Sequence, residues 1–139
     1  AVFCAPEIAW VGDSSQQIAR KHSPQILREV RVAFADVDRG RTDSVDDGFV
    51  AITARRLTGR IISATIVGPH ASELIAILTL ALDKGISLTS LARRSYAYPT
   101  FAGAIAAAAD DYARSTLGNL RRELATYIAH RWRRGSAAR

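Results

Sequence analysis

Residues 49–67 constrain the fold most. Phe49 to Arg56 and Arg60 to Val67 are two runs rich in β-branched and apolar residues, separated by Leu57-Thr58-Gly59. Two such runs around a short turn with glycine, where a positive φ is wanted, predict an antiparallel hairpin. Gly68-Pro69 stops the second strand, because proline donates no backbone hydrogen bond and glycine carries no side chain to pack. Ile26 to Phe34 alternates in the same way, with Val30, Val32 and Phe34 on one face and Glu29 and Arg31 on the other. It predicts a third strand.

Helices surround this β-rich core in the chain order. Ser14, with Gln17 three residues on, predicts a capped short helix to about Lys21, closed by Pro24. Between residues 70 and 84, Leu74, Ile75, Ile77, Leu78, Leu80, Ala81 and Leu82 cover far more than one stripe of a helix. A helix apolar nearly all round needs cover on both sides. Part of that cover is expected from a second chain. Gly85 ends this helix, and Thr89-Ser90-Leu91 predicts one further turn or two.

The segment Ser95-Tyr-Ala-Tyr-Pro-Thr100 is read as a hinge. Pro99 disfavours helix at Tyr98, so an extended step is expected there. Thr100 is expected to cap the helix that follows. Phe101, Ile105 and the small residues Ala102, Gly103 and Ala106 to Ala109 follow at helical spacing, letting another backbone approach closely. Val2 to Ala5 is read as a short edge strand, continued by residues 7–12, with Cys4 buried in it as a small hydrophobe. Residues 35–44 are read as a solvated charged loop whose acidic spacing does not match a calcium site.

Charge divides the chain. Of its 19 basic and 13 acidic side chains, residues 112–139 hold seven arginines and one glutamate, leaving the first 111 balanced at 12 and 12. This predicts a neutral body, residues 1–111, and a basic helical extension, residues 112–139. Tyr112, Leu117, Leu120, Leu124, Tyr127, Ile128 and Trp132 keep a helical stripe opposed by arginines, and Gly118 argues for two helices rather than one. The stripe is expected to dock on a protein surface, and nucleic acid is not expected as a partner. Ser136 to Arg139 are expected to be disordered.

Several function classes are excluded by what the sequence lacks. It has no G-x-G-x-x-G and no Walker pattern, so no phosphate-cradling loop. With the single cysteine Cys4 there is no internal disulfide, cysteine zinc cluster or redox pair. His22, His70 and His130 lie far apart without ligand spacing, so no metal site is expected. No apolar run reaches the ~20 residues that span a bilayer. Without an initial Met, the chain is expected to be either processed or a piece of something longer, and its opening on an apolar strand suggests a domain boundary there.

Nine fragments in order give the chain a resemblance. They are Val2-Phe3, Pro6-Glu7-Ile8-Ala9, Val11-Gly12, Asp38-Arg39, Gly48-Phe49-Val50, the run Thr58 to Ala64, Val67-Gly68, Ala71 to Ile75, and Tyr98-Pro99-Thr100. Their order and spacing resemble the C-terminal dimerisation (interface) domain of the pyridine nucleotide-disulfide oxidoreductases. This is the flavoenzyme family of dihydrolipoamide dehydrogenase, glutathione reductase and mercuric reductase. The resemblance covers residues 2–110 and implies an α/β (α+β) fold, a mainly antiparallel sheet with helices packed on it. It implies a homodimer, with Leu74, Ile75, Leu78, Leu82 and Phe101 facing the twin. It also implies that the FAD and NAD(P)H domains and the redox cysteines lie N-terminal to this segment, in a cytoplasmic parent oxidoreductase. No membrane partner is expected, and the isolated domain is expected to be catalytically silent.

The family's hinge reads His-Pro-Thr-x-x-Glu, whose histidine and glutamate form an acid–base pair reaching the other subunit's active site. Here those positions are Tyr98 and Gly103. A phenol is a poor proton shuttle at neutral pH, so lipoamide- or glutathione-type exchange is not expected. Tyr98 and Pro99 are expected to line a flavin-proximal pocket across the dimer. The alternative reading is a stand-alone interaction module with a basic, nucleic-acid-binding C-terminal helix built on Arg121, Arg122, Arg131, Arg133 and Arg134.

Overall fold

The structure is a computed structural model and describes residues 1–136. Strands β1 (Ile8–Gly12), β2 (Leu27–Ala33), β3 (Phe49–Arg55) and β4 (Ile61–Val67) form one antiparallel sheet in the order β1-β4-β3-β2. The helices are α1 (Ser15–Lys21), α2 (Asp38–Thr42), α3 (Ala71–Asp83), α4 (Leu88–Leu91), α5 (Gly103–Gly118) and α6 (Leu120–Ser136). The expected α/β (α+β) architecture is therefore present.

The hairpin forms as its residues dictate. Gly59 takes φ +69°, and its N–H donates to the Arg55 carbonyl at 2.9 Å. Pairing runs Phe49↔Val67 to Thr53↔Ser63, then shifts by one so that Ala54 faces Ile61. This irregularity lets Ile61, Ala64 and Ile66 all reach the core face although the first two are three residues apart. Tyr112 on α5 ties the turn down, its hydroxyl donating to the carbonyls of Arg55 and Arg56 at 3.0 and 2.8 Å. Burial pushes the Tyr112 phenol pKa upward, so it remains a donor.

One face of the sheet is covered and the other is open. Leu78 and Ala81 of α3 and Ala104, Ile105, Ala108 and Ala109 of α5 pack on Ala9, Val50, Ile52 and Ile66. The small residues of α5 thus serve close approach to the chain's own β2, β3 and α4. α3 lies over β1 and β4, and the Glu7 carboxylate just before β1 accepts from the Ser72 amide at 3.0 Å and its hydroxyl at 2.7 Å. That contact satisfies a free helix-start amide from sixty-five residues away. It also holds the Glu7 carboxyl below its usual pKa.

Several local expectations are corrected. Val2 makes only an isolated bridge to Ile8, so no strand forms there, and Cys4 is exposed with its thiol turned to the Pro6 carbonyl. Residues 38–42 form α2 rather than a loop, held by Arg39–Asp43 and Arg41–Asp38 ion pairs within one turn. Thr100 does not cap α5. Its hydroxyl is spent on the Ala97 carbonyl at 2.7 Å, and α5 opens at Gly103 after a turn of three-residue bonds. The Tyr98–Pro99 peptide is cis.

The C-terminal region is two helices, as Gly118 suggests, broken at Asn119. The expected division after residue 111 falls inside α5. The stripe is corrected: Tyr112 is core, whereas Leu117, Leu120, Leu124 and Ile128 are exposed. Among the described side chains of α6 the buried one is Glu123, whose carboxylate is held by Arg28 and Arg56. Ser136 belongs to α6; the side chains of Tyr127 and Trp132 and the segment 137–139 lie outside the described residues.

Candidate functional site

The hinge closes over an open cleft of about 300 Å³ between the α2 region and the start of α5. Its walls are Asp36 to Arg39 on one side and Tyr96 to Thr100 on the other, with Gly103 and Ala106 as floor. The support below is aromatic. The Phe101 ring lies 5.2 Å from Phe34 and 5.8 Å from His70. Phe34 in turn presses on Gly68 (φ +133°), where an added Cβ would stand 2.4 Å from its ring. Only glycine fits there, so the ring position is fixed from beneath.

Tyr98 stands on this support with 80% of its surface exposed. Its hydroxyl donates to Asp38 Oδ2 at 2.9 Å. That hydrogen bond, then the carboxylate's charge, raises the phenol pKa above its ordinary value of 10.0. Tyr98 is thus a protonated hydrogen-bond donor at neutral pH and not a base. Tyr96, half-buried behind it, is also pushed up, by burial first and the Asp110 charge second. Pro99 lines the same cleft. At Gly103 an added Cβ meets open space, so a side chain fits at the family's glutamate position. What is missing there is a carboxylate, not room for one.

Asp38 is the residue that sequence reasoning missed. It lies sixty positions from Tyr98, inside a segment read as solvated loop, and the only signal was Asp38-Arg39 among the matching fragments. A second, larger open cleft of about 630 Å³ lies on the bare sheet face beside α1, with Trp10, Glu29, Thr53 and Thr65. Within it Asp13 meets Lys21 at 2.7 Å and His22 at 3.6 Å. Among the described residues no cluster of three metal-ligating side chains occurs.

Of the five residues expected to face a twin, the structure buries Leu74, Leu78 and Phe101 in the chain's own core. Within the chain β1, β4 and the Phe34 ring already cover them. Ile75 and Leu82 are partly exposed, and Leu80, on the outward side of α3, is 57% exposed.

Comparison with known proteins agrees with this fold. Residues 1–109 match the family described as pyridine nucleotide-disulphide oxidoreductase, dimerisation domain. A dihydrolipoamide dehydrogenase of Chaetomium thermophilum is 38% identical over 78% of this chain and 21% of its own length. The mitochondrial dihydrolipoyl dehydrogenase of Sus scrofa is 36% identical over 74% of this chain and 20% of its own. LpdA of Mycobacterium tuberculosis superposes with a TM-score of 0.71 at 34% identity, covering 79% of this chain and 24% of that one. RclA of Escherichia coli, a flavoprotein disulfide reductase, shares the fold at 22% identity with a TM-score of 0.69, over 78% of this chain and 25% of its own. The chain spans about a fifth of the length of the curated relatives it matches. By its sequence and by its antiparallel sheet with helices on one face, the chain belongs to the pyridine nucleotide-disulphide oxidoreductase dimerisation-domain family.

Proposed function

We propose that the chain is the homodimerisation unit of an FAD-dependent NAD(P)H oxidoreductase and is catalytically silent by itself. The observation that carries this reading is the family match over residues 1–109. Leu80 would meet the twin, flanked by the partly exposed Ile75 and Leu82. Leu74, Leu78 and Phe101 would support that face from within. In the assembled parent, Tyr98 and Pro99 would stand beside the flavin of the other subunit.

The hinge chemistry narrows the reaction. The dehydrogenases it resembles are named for dihydrolipoamide, yet a protonated phenol hydrogen-bonded to Asp38 does not shuttle protons as an imidazole does. A donor role toward an electron acceptor suits Tyr98 better. The division into a neutral body and a basic C-terminal extension is part of this proposal, with the backbone break at Asn119 as its natural limit. A cytoplasmic, reducing location for the parent suits one exposed, unpaired cysteine.

Sedimentation velocity of the chain over a range of concentrations tests the proposal. A dimer is expected, with no flavin absorbance sedimenting with it when FAD is added. A monomer persisting at the highest concentrations would sink it.

A further inference from the structure

α6 lies outside the residues matched by the family, and it presents an exposed apolar row. Leu120, Leu124 and Ile128 recur every fourth residue, and Leu117 at the end of α5 continues the row. These four are between 41% and 70% exposed. The helix is anchored from a position about 100° around from the middle of this row. There Glu123, 2% exposed, meets Arg28 from β2 and lies 3.2 Å from Arg56 Nη1 beside the hairpin turn. Arg28 also donates to Ser115 at 2.6 Å and Thr116 at 3.2 Å on α5. With Glu123 pinned inward, the row runs along the flank of the helix and stays exposed. From Leu120 to Ile128, eight helical steps, it is about 12 Å long.

Charge decides what covers that row. Arg114, Arg121 and Arg122 stand exposed around it, and the sequence adds Arg131, Arg133, Arg134 and Arg139 to the same segment. The body is neutral, so the whole positive excess sits here. A second copy of α6 would bring like charges together along the row, and a phosphate backbone would pair the arginines but leave the leucines in water. A surface with dense negative charge above an apolar layer satisfies both.

We propose that α6 is an amphipathic docking helix for an anionic phospholipid bilayer. It lies in the headgroup plane with Leu120, Leu124 and Ile128 turned into the acyl boundary and the arginines on the lipid phosphates. The sequence expectation of no membrane partner rested on the lack of a spanning run. Among the described residues no helix is long and apolar enough to cross a membrane, but a helix lying in the plane needs no such run. The proposal is independent of the dimerisation reading, since the family match ends at residue 109.

Co-sedimentation of the full chain with phospholipid vesicles tests it. Binding is expected to vesicles of equal parts phosphatidylglycerol and phosphatidylcholine, and not to phosphatidylcholine alone. Raising the salt to about 0.5 M should release the protein. Leu124→Asp with Ile128→Asp should weaken binding by about tenfold or more without changing the thermal unfolding midpoint. Arg121→Gln with Arg122→Gln should weaken it by a similar factor. Leu80→Asp on α3 should leave it unchanged. The proposal is overturned if anionic vesicles leave the chain in the supernatant at low salt, or if the α6 variants bind as well as the parent chain. It is equally overturned if Leu124→Asp with Ile128→Asp splits a dimer in sedimentation, which would make a second copy the occupant.

Discussion

At Tyr98 and Asp38 the chemistry of the hinge comes down to one hydrogen bond of 2.9 Å. The carboxylate accepts from the neutral phenol and repels the phenolate, so both effects hold the proton on. The sign follows directly. Removing the charge and the strong acceptor lowers the phenol pKa toward 10.0, and never raises it. In Asp38→Asn the Tyr98 resonance should therefore titrate at lower pH than in the parent chain, followed by NMR with Tyr98→Phe as assignment control. An unchanged or higher midpoint would show that the pair does not persist in solution. The half of this site that the sequence exposes is Tyr98-Pro99-Thr100, because proline and the family spacing mark it. Asp38 was hidden since a carboxylate in a charged segment has no periodicity, and the pairing arises only when α2 and the hinge are folded onto the Phe34–Phe101 support. Thr100 misled for the opposite reason: a hydroxyl at a helix start looks like a cap, but the loop carbonyl of Ala97 was nearer.

Elements were legible wherever their pattern was local. The hairpin around Gly59, the Ser14–Gln17 capping box and the break near Gly118 are all contained in a few consecutive residues, and all three are present. α6 was misread because a stripe of leucines suggests a buried side, whereas its anchor is a glutamate whose partners lie 95 and 67 residues away. That anchor should be costly to break. Glu123 Oε2 and Arg56 Nε are buried without partners of their own, so the pair gains little over an apolar contact. Removing Glu123, however, leaves Arg28 facing Arg56 with no counter-charge. Glu123→Ala should destabilise the fold by about 3 kcal/mol, the low end for a broken buried pair because Arg56 is one-third exposed. For a chain of this length that lowers the melting temperature by about 10 °C in calorimetry. Glu123→Gln, which keeps the acceptor but not the charge, should fall between. A melting temperature within error of the parent chain would mean that α6 is not pinned by this residue.

The whole molecule is a one-sided layer: the sheet buries one face under α3 and α5 and leaves the other bare around Trp10 and Thr53. In such an arrangement α3 has only one inward side, and the sequence overstated its greasiness because Leu74, Leu78 and Ala81 all turn toward β1 and β4. The outward side carries Glu73, Ala76, Leu80 and Asp83, so a single large aliphatic stands in a polar setting. Stability and pairing should therefore separate cleanly along one helix. Leu78→Ala empties a packed position and should cost about 2–5 kcal/mol on unfolding. Leu80→Arg replaces a side chain that is more than half exposed and should shift unfolding by less than about 0.5 kcal/mol. If the twin seats on this side of α3, Leu80→Arg nonetheless moves sedimentation toward the monomer, since an arginine would replace an apolar contact on both sides of a two-fold at once. A Leu80→Arg chain that keeps its melting temperature and still sediments as a dimer would place the interface on another surface. The bare sheet face around Trp10 would then be the next to probe, because it offers the other large unpartnered area on this body.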